Sequence, residues 1–371
     1  MTGLGSLDPE RVRRLLDRAA ADVTSGQLPS CQLALARDGE VVVDAAFGDA
    51  SDTDRYVLFS VTKALTAASV WLAIGDGLLA ADLRVAELVP AFASGGREAV
   101  TVEHLLTHSA GFPNAPMRPT QGADPEQRNA RFATWRLDWE PGSRMTYHPS
   151  AAHWVLADLI ERVRGADHRT VALERIIGPL GLPSLRLGGE GSRGDDVRPL
   201  VPVEARGRAD VTVPTEAAFP PDQLLQFNEL PNREAGSPGV GAVSTARDVA
   251  LLYQAFLHNP DGLFDPEVLA DGTARVRSAL VDPWIGVAGN RTLGLTLAGD
   301  DGNGVLRQLG RATGPRAFGA PGVGGQIGWA DPDSGLSFCF LTNGLASDPS
   351  VSFLRAAELS TLAAKTVIPV T

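Results

Sequence analysis

The spacing of hydrophobic positions changes period along this chain, and those changes mark out its elements. Val12, Leu15, Leu16 and Ala19 recur at helical spacing among Glu10, Arg11, Arg13, Arg14, Asp17 and Arg18, which predicts an amphipathic helix within residues 1–23. Asp8 followed by Pro9 suits its cap and first position. Residues 30–44 read as a hairpin, with apolar runs on either side of Asp38-Gly39, a favoured two-residue turn. An extended run over residues 55–59 leads straight into Ser60. Beyond it Val61, Ala64, Leu65, Ala68, Val70, Trp71 and Ile74 predict a buried helix that stops near Gly75-Asp76-Gly77.

The middle of the chain mixes short helices, expected at residues 102–108, 151–164 and 170–177, with irregular stretches. Residues 188–238 are rich in Gly, Pro and charge and too long for a plain connection, so they read as loops bordering a pocket or as a lid. A helix returns over residues 244–257, with a cap at Ser244-Thr245. Residues 292–343 look like successive antiparallel strands with turns at 299–304 and 331–335, and a last helix covers residues 350–365. Strands at both ends with helices between them predict an α/β (α+β) fold. Its antiparallel sheet is built from both chain ends, flanked by helices and interrupted by an inserted, mainly helical lobe. The expected division is residues 1–75 and 240–371 for the sheet domain and 76–239 for the lobe, together one catalytic unit with its site at the junction.

Composition narrows the function. The chain has 371 residues, 44% apolar and 21% charged, and no apolar run approaches the roughly 20 residues that cross a bilayer. Its first helix is amphipathic and charged rather than signal-like, so a cytoplasmic, non-membrane protein is expected. A net charge of −11 disfavours nucleic acid and anionic lipid as partners. Cys31 and Cys339, each flanked by apolar strand-like residues, are expected as buried thiols, too few for a disulfide framework or an unaided metal site.

Of 33 basic residues only Lys63 and Lys365 are lysines. Arginine keeps its proton at working pH whereas a desolvated lysine can lose it, so a lysine retained at position 63 asks for a chemical reason. Ser60-Val61-Thr62-Lys63 supplies one. Residues i and i+3 share a helix face, which lets a serine hydroxyl meet an amine able to act as its base. The start of a helix also directs free N–H groups toward the place where an oxyanion forms.

These residues belong to an ordered set. Leu58-Phe59-Ser60-Val61-Thr62-Lys63 is followed by Val102-Glu103-His104-Leu105-Leu106-Thr107-His108-Ser109-Ala110-Gly111, by Glu140-Pro141-Gly142-Ser143 leading to Tyr147, by residues 241–248, and by Phe318-Gly319-Ala320-Pro321-Gly322-Val323-Gly324-Gly325. In that order and spacing, over about residues 30–343, the chain resembles the serine β-lactamase-like and penicillin-binding-protein superfamily. The branch it resembles holds class C β-lactamases, D-aminopeptidases and family VIII carboxylesterases. The resemblance implies Ser60 as nucleophile, Lys63 as its base, Tyr147 as proton relay, and the N–H groups of Ser60 and Val323 as oxyanion hole. It implies that Ala320 and Gly322, with Gln326 just beyond, line the substrate site.

Two departures bear on substrate. The family's asparagine two residues after the tyrosine is replaced in Tyr147-His148-Pro149, with His148 or Ser150 as candidate substitutes. Where the family carries Lys or His to hold a substrate carboxylate, this chain has Ala320, so penicillins and D-alanyl peptides are expected to bind poorly. The expected reaction is therefore hydrolysis of a small-molecule ester, or an amide, through acyl-Ser60 without metal or cofactor. Alternatives are a transacylase or cyclising acyltransferase with the same intermediate, a β-lactamase or D-aminopeptidase, and a catalytically weak binding module. His104 and His108 at i, i+4 invite a zinc reading, but Leu105 replaces the expected glutamate and they read better as hydrogen-bonded structural groups. Trp135, Trp139, Trp154, Trp284 and Trp329 are candidates for either a pocket lining or the core. Nothing in the pattern fixes an oligomeric state.

Overall fold

Both ends of the chain meet in one antiparallel sheet in the computed structural model, which describes residues 7–204 and 221–368. Among the described residues this sheet has six strands. They are β1 (Ser30–Arg37), β2 (Glu40–Gly48), β3 (Thr296–Leu297), β4 (Phe318–Pro321), β5 (Ile327–Asp331) and β6 (Leu336–Thr342), in the order β2-β1-β6-β5-β4-β3. The Asp38-Gly39 hairpin joins β1 to β2, with both turn residues at positive φ, the geometry such a turn requires. On its other edge β1 pairs with β6, Leu33 opposite Phe340 and Leu35 opposite Phe338.

Strand β1 is buried along its whole length because both faces of the sheet are covered. Alternation sends Leu33, Leu35, Phe338 and Phe340 to one face, where they join Leu15 and Ala19 of α1 (Pro9–Thr24) and Leu359 of the last helix. Ala34, Ala36, Cys339 and Leu341 point the other way, into a core that includes Val249 and Tyr253 of the helix Ala246–His258. Helix α1 begins as its sequence requires, with Asp8 accepting from the N–H groups of Glu10 and Arg11. A buried ion pair, Arg355 to Asp22 at 2.9 Å, ties the last helix to α1.

Helix α2 (Thr62–Gly75) packs against the inserted region. Its Trp71 and Leu65 share one continuous apolar core with Val102 of α3 (Val102–Leu106), Phe132 of α4 (Pro125–Thr134) and Trp154 of α5 (Ala151–Arg164). Packing is thus unbroken across residues 75 and 76. A second anchor is polar: Arg128 of α4 is 1% exposed and bonds Asp158 at 2.8 Å and also Glu161, both on α5. We label the helix Ala246–His258 α6 and the helix Pro349–Ala364 α7.

Several elements differ from expectation. The helix expected at 102–108 ends at Leu106, and His108 lies beyond it at φ +60. His104 and His108 therefore do not share a helix face. His104 instead completes a capping box with Thr101. Residues 170–177 divide into a short α-helix, His168–Ala172, and a π-helical turn, Leu173–Ile177. No tight turn joins β3 to β4. Their connection is a long loop pinned by Arg307, whose guanidinium holds both carboxylate oxygens of Asp301 and the carbonyls of Ala288 and Ala298. Of the long segment 188–238, residues 205–220 lie outside the described residues, so the lid reading does too. Among the described residues no helix is long and apolar enough to cross a membrane.

Candidate active site

Ser60 sits in a single 3-10 turn, Phe59–Val61, that runs directly into α2. Phe59, just before it, has φ +46, a sterically costly conformation for a bulky residue. It is held there by its neighbours: the Leu58 N–H donates to Ala242 at 2.8 Å, and the Phe59 ring meets Phe227 edge-on at 6.1 Å. The polar positions of α2 face one way. Thr62 accepts from the Ala242 N–H at 3.1 Å, and Thr66 donates to the Pro238 carbonyl. Lys63 lies between them, 3% exposed.

The Lys63 amine has three partners: Ser60 Oγ at 3.1 Å, the Pro149 carbonyl at 2.8 Å and the Gly239 carbonyl at 2.8 Å. Burial, and next the charge of Arg291, hold its pKa well below the usual lysine range. A neutral amine has two N–H bonds and one lone pair. Two of the partners are carbonyl oxygens, which can only accept, so both N–H bonds are used there and the lone pair is left facing the Ser60 hydroxyl. In this arrangement the lone pair of a neutral Lys63 amine points at the Ser60 hydroxyl 3.1 Å away.

Tyr147 contacts the same hydroxyl. Burial pushes its pKa up to about 12, against the hydrogen bond to Ser60 and the nearby Arg291, which act to lower it. At neutral pH it is a phenol, a donor rather than a second base. Its ring packs on His108 at 4.5 Å and Trp284 at 5.1 Å, with Lys63 Nζ 4.9 Å from the ring centroid.

Segment 322–325 closes the other side. A Cβ on Gly322 would stand 3.0 Å from the Leu58 carbonyl oxygen and 3.3 Å from the Ser60 nitrogen, so glycine permits this close approach to the Ser60 backbone. Gly324 and Gly325, at φ +84 and +93, then turn the chain into β5.

Ser60, Tyr147, Gly322 and Val323 border a cavity of about 300 Å3 whose apolar wall includes Trp284, Ile285, Leu306 and Phe353. Four residues expected beside the substrate are elsewhere. The His148 ring accepts from the Phe112 N–H at 3.1 Å and donates to the Thr146 carbonyl at 2.7 Å, which uses both nitrogens in a neutral tautomer. Burial lowers its pKa to about 4. Gln326 is fully buried, and its amide donates to the Val57 and Thr342 carbonyls while accepting from the Thr342 N–H. Ser150 lies at the start of α5 and Ala320 within β4, and neither borders the cavity. Of the five tryptophans considered, Trp284 alone lines it, while Trp154 and Trp329 are core residues. Asp282 and Arg291 also line it and carried no local sequence signal.

The Beta-lactamase family model matches residues 12–363. This chain belongs to the β-lactamase family. The family member is 28% identical, over 85% of its length and 77% of the relative's, to the esterase/β-lactamase LipL of Mycobacterium tuberculosis. It is also 28% identical to esterase EstB of Burkholderia gladioli, over 71% of each chain. A penicillin-binding-protein homologue from Caulobacter crescentus superposes with a TM-score of 0.75 at 27% identity, covering 97% of this chain and 100% of that one. A family VIII carboxylesterase shares the fold with a TM-score of 0.75 at 23% identity over 96% of this chain and 99% of its own.

Proposed function

We infer that this serine hydrolase of the β-lactamase family cleaves carboxylic esters through an acyl-Ser60 intermediate. The observation that carries the inference is the Lys63 amine, whose two carbonyl partners leave its lone pair to Ser60. Lys63 takes the hydroxyl proton as Ser60 Oγ bonds to the ester carbonyl carbon. The resulting oxyanion is received by the Ser60 and Val323 N–H groups. As the C–O bond breaks, Tyr147 gives its proton to the leaving alkoxide and is reprotonated from the Lys63 ammonium. Water then attacks the acyl carbon by the same steps in reverse, releasing the acid and restoring Ser60. Ester cleavage is supported by the names of the relatives LipL and EstB and by the apolar part of the cavity wall, Trp284, Ile285, Leu306 and Phe353.

Two variants test this reading. Native protein is expected to turn over p-nitrophenyl butyrate and to take one fluorophosphonate label, on Ser60. Ser60→Ala is expected to lose both, and a label found on another residue of native protein would overturn the assignment. Tyr147→Phe is expected to retain the label but lower kcat by about 10²–10⁴-fold, most strongly for esters with poor leaving groups, because those need the proton most.

A further inference from the structure

Two arginines line the cavity, and they are bonded differently. Arg307 has its donors taken by Asp301 and two backbone carbonyls. Arg291 makes two hydrogen bonds among the described residues, from Nη1 to Thr296 Oγ1 at 2.7 Å and from Nη2 to Asp282 Oδ2 at a long 3.4 Å. Its Nε is buried with no acceptor. A guanidinium has five N–H bonds, so Arg291 brings unused donors to the cavity wall. Its carbon lies 5.6 Å from the Tyr147 ring centroid, which places those donors beside the reacting centre. Nη1 and Nη2 each make one bond and keep a second hydrogen, and a ligand oxygen that accepts one of these gains a bond to a charged donor.

Asp282 decides which oxygen. Its side chain is 5% exposed and already balances the Arg291 charge. A substrate carboxylate arriving there would be repelled by Asp282, whereas a neutral carbonyl oxygen accepts an N–H without needing net positive potential. We propose that Arg291 anchors a second, uncharged carbonyl on the substrate, so that the enzyme prefers esters bearing a keto, lactone or amide oxygen remote from the scissile bond. The proposal rests on Ser60 chemistry for its site but is a statement about binding, and binding is read separately from turnover.

The test compares esters of equal length: p-nitrophenyl hexanoate, its 4-oxo and 5-oxo analogues, and the p-nitrophenyl monoester of adipic acid. Ser60→Ala protein, which cannot be acylated at that position, reports affinity by calorimetry, and native protein reports kcat/KM. At least one oxo ester is expected to bind Ser60→Ala about tenfold tighter than hexanoate and the adipate monoester, since one hydrogen bond to a charged donor is of that size. Adding Arg291→Met should erase the difference. Equal affinity for the oxo and plain esters, or a preference for the carboxylate, would overturn the Arg291 assignment even if native protein hydrolyses every ester. Conversely, a tenfold binding preference in a protein without turnover would uphold it and sink the acyl-Ser60 reading. The comparison among substrates needs no Arg291 variant, so a misfolded Arg291→Met leaves it decisive.

Discussion

Replacing Lys63 by arginine or methionine is expected to lower kcat/KM for a simple ester by about 10²–10⁴-fold, the usual worth of a positioned base. Arginine cannot give up its proton, so it offers Ser60 another donor and no lone pair. Methionine offers neither. In native protein the same logic fixes the pH profile. The amine works only when neutral, so activity falls as pH falls through the lowered pKa of Lys63. Tyr147, at about 12, keeps its proton through the mildly alkaline range, so the profile should rise to a plateau rather than form a bell. Stability runs the same way. The unfolded chain binds a proton at this lysine over a pH window where the folded chain does not, which favours unfolding at the acid end of that window. Lys63→Met should therefore be at least as stable as native protein near neutral pH while nearly inactive. An arginine variant with full turnover would end the proposed chemistry.

The second large effect is expected at Arg128, far from the cavity. Arg128→Met strands Asp158 and Glu161 without their buried partner and is expected to cost about 3–5 kcal/mol in urea denaturation, because a desolvated carboxylate is left uncompensated. Arg162 still reaches Asp158 at 2.6 Å and limits the loss to the inner oxygens. Activity per folded molecule should fall as well, since α5 starts two residues after Pro149, whose carbonyl holds Lys63. A loss under about 1 kcal/mol would show that the network is dispensable.

What the sequence revealed follows from how local each signal is. Ser60 and Lys63 are one helical turn apart, so spacing alone predicts their meeting, and the scarcity of lysine in this chain singles out the amine. The β1–β2 hairpin and α1 are equally local and appear where the pattern puts them. Side-chain direction is not local. Gln326 follows the glycine run beside Ser60, yet its amide is consumed by Val57 and Thr342, one of them 269 positions away. His148 adjoins Tyr147, but its ring turns to the Phe112 and Thr146 backbone. Arg291 was one arginine among many. Its significance comes from Asp282, Thr296 and Tyr147 converging on it, and the convergence with Tyr147 is a product of the tertiary fold.

The pairing of β1 with β6 sets an order of events during biosynthesis. Cys31 lies opposite Thr342, so β1 waits for its second partner until residues 336–342 have left the ribosome. At ordinary elongation rates the delay is on the order of tens of seconds. Throughout it one edge of β1 is open and its apolar side chains lack their final cover, an invitation to self-association. A nascent chain stalled before residue 336 therefore carries Ser60 and Lys63 without β6, and hydrolytic competence is expected only after residues 336–342 have been added.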